Sequence, residues 1–269
     1  MEFETYTLPN GIRGIHRQVK SNVAHCALIV GAGSRDERPS EYGLAHFTEH
    51  AFFKGTARRK AWQVNCRLEN LGGELNAFTT KEETTIHATT LRSDFAKAAE
   101  LIADIAFRST FPDRELQKER EVIADEINTY KDSPADLIYD TFEDLLFAGS
   151  ELGHNILGRK AAIARYDGAA VRSFVERTHT TDRMVFSSIG NLSCKAVAAV
   201  AARHLPTQPE GIRLEMSVAI YKNGRSVGIP GTNGLRGLTL ACVLGALGGN
   251  PDKGLMALED IPADTVEQA

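Results

Sequence analysis

His46 and His50 stand four residues apart, with Glu49 between them, in the run His46-Phe47-Thr48-Glu49-His50. On a helix that spacing projects both imidazoles from one face, one turn apart, so two ring nitrogens can reach a single zinc ion at about 2.0–2.1 Å. Glu49 flanks the same face, near enough to meet a water on the metal without binding the metal itself. A catalytic zinc also needs a third protein ligand and an open position. The segment 113–131 offers one: its helical stripe of Leu116, Val122, Ile123, Ile127 and Tyr130 contains Glu126, and Glu119 lies two turns earlier on nearly the same line. A carboxylate on a buried stripe is costly unless it is paired or metal-bound. The competing reading is a solvated helix whose His and Glu side chains cap or pair. The buried position expected for Glu126 favours a metal site of His46, His50 and Glu126.

These residues need elements to position them. Residues 3–8 and 12–19 flank Pro9-Asn10-Gly11, a hairpin signal, and 24–30 is a third, nearly continuous apolar strand. Helical spacing covers 43–53, entered after Pro39-Ser40, and 61–71, closed by Gly72-Gly73. Residues 74–79 and 84–91 read as strands rich in Thr, Phe and Ile. Ser93 is expected to cap a helix to Arg108, and Asp113 one to Lys131, with Pro134 opening another that ends near Gly149. A helix (168–177), a strand (184–189) and a helix (193–204) follow. The pattern predicts an α+β fold, a layered antiparallel-rich sheet with helices packed on one side, over residues 1–205. Residues 206–269 read as a linker (206–211) and a short tail, with strands at 216–221 and 226–229 and a helix at 238–247.

Composition sets the frame. The chain has 269 residues, 42% hydrophobic and 25% charged, ordinary for a globular protein with one large or two small domains. A net charge of −4 and a pI near 6.1 argue against nucleic acid or an anionic membrane as partner. The longest apolar stretch, 235–249, contains Arg236 and several glycines and is too short to span a bilayer. The start Met1-Glu2-Phe3-Glu4 has no basic, then apolar, signal pattern. Cysteines 26, 66, 194 and 242 show no CxxC pairing and read as buried thiols of a reducing compartment. The expectation is a cytoplasmic protein. The histidines at 16, 25, 87, 154, 179 and 204 are scattered and read as surface or satisfied core residues.

HxxEH inverts the HExxH zinc-protease motif, and the sequence around it resembles the pitrilysin and insulinase family of zinc endopeptidases, whose relatives include the mitochondrial processing peptidases. The resemblance is carried by Leu8-Pro9-Asn10-Gly11, residues 31–37, the run Leu71-Gly72-Gly73-Glu74-Leu75-Asn76-Ala77-Phe78-Thr79, residues 118–130, Ile156-Leu157-Gly158 and Asn191. It covers residues 3–205, the metal-bearing half of such an enzyme, and residues 235–250 faintly resemble the truncated start of a second homologous domain. It implies that His46, His50 and Glu126 bind Zn2+. It makes Glu49 the general base that activates zinc-bound water and later protonates the leaving amine, and gives Glu119 the task of orienting a ligand histidine or holding the charge balance of the site.

The resemblance further implies that the strand 74–79 is an edge to which an extended peptide adds, with Asn76 and Ala77 in contact with substrate. An ordinary core strand after a Gly-Gly turn is the alternative at that point. Members of the family work as two homologous halves around a chamber, so the expected partner is a homologous subunit or a second copy of this chain. A truncated copy that binds zinc but cleaves poorly is the third possibility. The function expected is a zinc-dependent endopeptidase acting on peptides or unfolded segments. The alternative is a non-catalytic peptide-holding or assembly subunit.

Overall fold

Residues 2–205, with Ile229 and Ala241, are described by a computed structural model. Chain contacts divide the molecule into two units, Met1–Pro206 and Thr207–Ala269, and the fold below is that of the first. The linker, strands and helix expected within 206–269 lie, apart from those two positions, outside the described residues.

Alternation in the strands builds the sheet. β1 (Glu4–Thr7) and β2 (Arg13–Gln18) form the amino-terminal hairpin, and Gly11 at its turn has φ +91°. β3 (Val23–Val30) turns Ala24, Cys26, Leu28 and Val30 inward and leaves Val23 and His25 exposed. β4 (Glu74–Thr79), β5 (Thr84–Leu91) and β6 (Met184–Gly190) complete a six-stranded sheet in the order β1-β2-β6-β3-β5-β4. Every pairing is antiparallel except β2 with β6. That exception follows from geometry: a strand inserted between two oppositely directed neighbours must run parallel to one of them. The inward row continues from Leu28 to Ile86 on β5 and Phe186 on β6, all buried.

Helices cover this row. α3 (Phe95–Arg108) lies on β3 and β5, burying Phe95, Ala98, Leu101, Ile102 and Ile105, and α8 (Cys194–His204) packs beside it over β1 and β2. α1 (Leu44–Phe52) and α2 (Ala61–Glu69) both pack against β4. α4 (Asp113–Lys131), α5 (Pro134–Leu146), the four-residue α6 (Lys160–Ile163) and α7 (Gly168–Thr178) follow in chain order, with α4 and α7 both against α1.

Two helix starts differ from expectation. Ser93 falls in a 3-10 turn, Arg92–Asp94, and α3 begins at Phe95. Asp113 is the first residue of α4, after Pro112, because its carboxylate instead accepts the Gly168 N–H at 2.8 Å. Only Cys26 is fully buried among the described cysteines; Cys66 and Cys194 are half-buried, and all three are free thiols.

Candidate metal centre

The motif helix α1 has no capping side chain of its own. Its N-cap is Gly43, at φ +94°, and the entry at Pro39-Ser40 plays no capping part. The orphan N–H groups of Gly43 and Ala45 donate instead to the buried carboxylate of Glu37, at 3.0 and 2.6 Å. Burial pushes the Glu37 pKa up, opposed by a hydrogen bond with His154 and by those two N–H groups. His154 Nε2 lies 2.8 Å from the carboxylate, and its ring stacks on Tyr42 at 3.9 Å. The segment carrying His154 meets α1 backbone to backbone. A Cβ on Gly43 would lie 2.7 Å from the Leu157 oxygen, and one on Gly158 (φ +68°) 2.6 Å from the Gly43 Cα.

So placed, α1 presents His46 and His50 to Glu126 of α4. His46 Nε2 and His50 Nε2 lie 3.3 Å apart, and each is 3.6 Å from an oxygen of Glu126. Among the described residues these three form the cluster that could hold a metal ion. Metal–ligand bonds of about 2.0–2.1 Å at tetrahedral angles put ligand atoms about 3.3–3.4 Å apart, so the donor set fits one small divalent cation. His46 is buried, and burial together with the neighbouring His50 lowers its pKa to about 3. The ring is therefore neutral, with a lone pair to give, near neutral pH.

Glu126 differs from the sequence expectation. Its side chain is 43% exposed, and Val122 of the supposed apolar stripe is exposed as well. The buried carboxylate of α4 is Glu119, with its side chain 9% exposed. Glu119 Oε1 is 2.7 Å from His50 Nδ1, and Oε2 is 2.5 Å from Lys54 Nζ. An ionised carboxylate only accepts, so the His50 proton sits on Nδ1 and Nε2 is left with its lone pair toward the cluster. Burial alone would raise the Glu119 pKa, but the hydrogen bonds from His50 and Lys54 outweigh it and hold the group ionised.

Glu49 is half-buried on the same helix. Burial raises its pKa, as does the charge of Glu126, while Thr79 at the end of β4 and His50 act the other way. A carboxylate whose pKa is raised holds a proton more firmly and is suited to take and return one. Among the described residues β4 is the terminal strand of the sheet, paired with β5. Asn76 is exposed and Ala77 half-buried, and the Ala77 N–H donates to Asn76 Oδ1 at 2.8 Å. The structure thus brings His46, His50 and Glu126 together, keeps Glu119 in contact with His50, and sets Asn76 and Ala77 on the strand that is outermost among the described residues.

The residues missed from sequence are Glu37, His154 and Lys54. The signal for Glu37 was a helix opening Gly43-Leu44 with no Ser, Thr, Asp or Asn to cap it, which calls for a remote acceptor.

Sheet, motif helix and two-histidine, one-carboxylate cluster together define an α+β domain with a candidate metal centre. Comparison with known proteins gives the family: residues 15–160 match the insulinase family, peptidase family M16, and the chain belongs to it. The uncharacterized zinc protease YmxG of Bacillus subtilis is 37% identical over 190 residues, covering 70% of this chain and 46% of that protein. This chain therefore spans less than half the length of that relative. The first half of the periplasmic protease PqqL from Escherichia coli has the same fold, with a TM-score of 0.72 and 23% identity over 80% of this chain and 48% of that one. So does the peptidase M16 inactive domain from Pseudomonas fluorescens, with a TM-score of 0.72 and 20% identity over 80% and 53%.

Proposed function

We propose that this chain is the metal-bearing half of a zinc-dependent endopeptidase that hydrolyses peptides or unfolded segments and is completed by a second half of the same fold. The observation that carries the reading is the convergence of the two Nε2 atoms and the Glu126 carboxylate at tetrahedral spacing, with Glu49 on the same helix. His46, His50 and Glu126 would hold the ion, and the exposure of Glu126 leaves that side of the cluster open to substrate and water. A zinc ion there supplies Lewis acidity, making water a nucleophile near neutral pH and polarising the scissile carbonyl.

The remaining steps fall to the chain's own groups. Glu49 takes a proton from the attacking water and returns it to the leaving amine. Glu119 fixes the ring of His50, and Lys54 keeps Glu119 ionised. The β4 edge can receive an extended peptide by backbone hydrogen bonding, with Asn76 and Ala77 in contact with it. To bind there the peptide must displace Asn76 Oδ1 from the Ala77 N–H. The shared length with YmxG and its zinc-protease name support this reading, and the intact HxxEH set favours an enzyme over a peptide-holding subunit.

The test is Glu49→Gln, assayed for zinc content and for hydrolysis of an internally quenched peptide, with the second half supplied. The expected result is full zinc occupancy with hydrolysis lowered at least a thousandfold. Retained hydrolysis would remove Glu49 from the mechanism.

A further inference from the structure

The helix after the metal site is turned outward. Leu137, Ile138, Phe142, Leu145 and Leu146 follow the i, i+1, i+5, i+8, i+9 spacing of an amphipathic helix that should face a core. In α5 no residue is buried. Ile138 is 64% exposed, Phe142 61% and Leu145 75%, and Tyr139, Leu146 and Phe147 add to the same surface. With free side-chain areas on the order of 200 Å², this leaves about 800 Å² of large apolar side chain in water. That exceeds the roughly 300–600 Å² of the largest patch on a typical monomer and equals the area one partner contributes to a stable interface.

Charge narrows the occupant. Between Pro134 and Leu146 the helix carries Asp136, Asp140, Glu143 and Asp144 and no Lys or Arg. A second copy docked about a two-fold axis on this helix would set acid against acid. The relatives supply a different candidate. They extend to more than twice the matched length, and the same fold occurs both in a protease's first half and in a domain named inactive. We infer that the outward face of α5 is the seat of a second half-domain of this fold, which meets it with an apolar surface edged by Lys or Arg. The inference rests on the proposed two-half enzyme and assigns the surface by which the halves join.

The experiment mixes the 269-residue chain with the half of the Bacillus subtilis relative that the chain does not match, produced as a separate polypeptide. Light scattering should show a one-to-one complex that weakens with added salt, and hydrogen exchange should show protection of residues 134–147. Phe142→Glu and Leu145→Glu, both at exposed positions, should each weaken the complex at least tenfold with an unchanged melting temperature of the free chain. Absence of a complex, or a complex with residues 134–147 unprotected and insensitive to both variants, overturns the inference. A homodimer of the chain that protects α5 overturns it too. Peptide hydrolysis in the same mixture separates the two proposals. A complex formed through α5 that shows no Glu49-dependent cleavage sinks the enzymatic reading and leaves the docking face. Glu49-dependent cleavage that ignores both α5 variants does the reverse.

Discussion

A metal-binding histidine is only as good a ligand as its other nitrogen allows. His50 depends on Glu119, because the contact at Nδ1 decides which tautomer faces the cluster. Glu119→Gln should therefore weaken zinc binding by about 10- to 100-fold, read by competition with a chromophoric chelator; unchanged affinity would mean that Glu119 is not orienting the ring. The half-buried His179 has a hydroxyl at that position instead, Thr178 Oγ1 at 2.9 Å from its Nδ1. His179 lies against Phe52 and Phe174, with its Nε2 buried and unpaired, and burial, aided by the charge of Arg183, lowers its pKa to about 4. The unfolded chain, with an ordinary value near 6.5, binds the proton first. Stability from this site is therefore full above that value and is lost as pH falls toward 4. With the metal chelated, the melting temperature should fall by several degrees from pH 7 to pH 5. In His179→Asn the fall should be smaller, and an equal fall in both would refute the assignment.

At the scale of elements, the position of the motif helix is decided at its start. Gly43 needs a left-handed conformation and touches the Leu157–Gly158 backbone, so Gly43→Ala meets two penalties at once. A left-handed non-glycine residue costs about 1–2 kcal/mol and a forced contact about 1–3 kcal/mol. Calorimetry should show a loss of about 2–5 kcal/mol, and a variant as stable as the parent would show that this contact relaxes freely. The strand alternation, the helix periodicity and the spacing of HxxEH were all legible because each is set within a few residues. The sequence placed β4 and β5 at 74–79 and 84–91, as observed. Burial of carboxylates was not legible, because it is fixed by what packs from elsewhere. Glu126 was expected inside and stands half in water, while Asp104 is fully buried on Arg59, Arg108 and Thr56, at 2.6, 2.9 and 2.7 Å. Nothing in the spacing of α3 marks Asp104 as the acid that ties the segment after α1 to that helix. The insertion of β6 between β2 and β3 was equally invisible, being a matter of topology across the five α-helices that separate β6 from β5.

For the molecule as a whole, the cluster is a crosslink between distant parts of the chain. His46 and His50 come from α1 and Glu126 from α4, which pack against each other with two helices and two strands between them in sequence. An ion that binds this set in the folded state, and poorly in the unfolded one, must raise stability by mass action. The gain is about 2.7 kcal/mol at a hundredfold excess over the dissociation constant and about 4.1 kcal/mol at a thousandfold. For a unit of this size each kcal/mol moves the melting temperature by about 2–4 °C, so zinc should raise it by roughly 5–15 °C, and a chelator should reverse the shift. His50→Ala and Glu126→Ala should lose most of the shift, whereas Glu49→Gln should keep it, because a proton carrier is not a ligand. The same scan therefore separates holding the ion from using it. A shift that survives in His50→Ala, or disappears in Glu49→Gln, would reassign the ligands on α1.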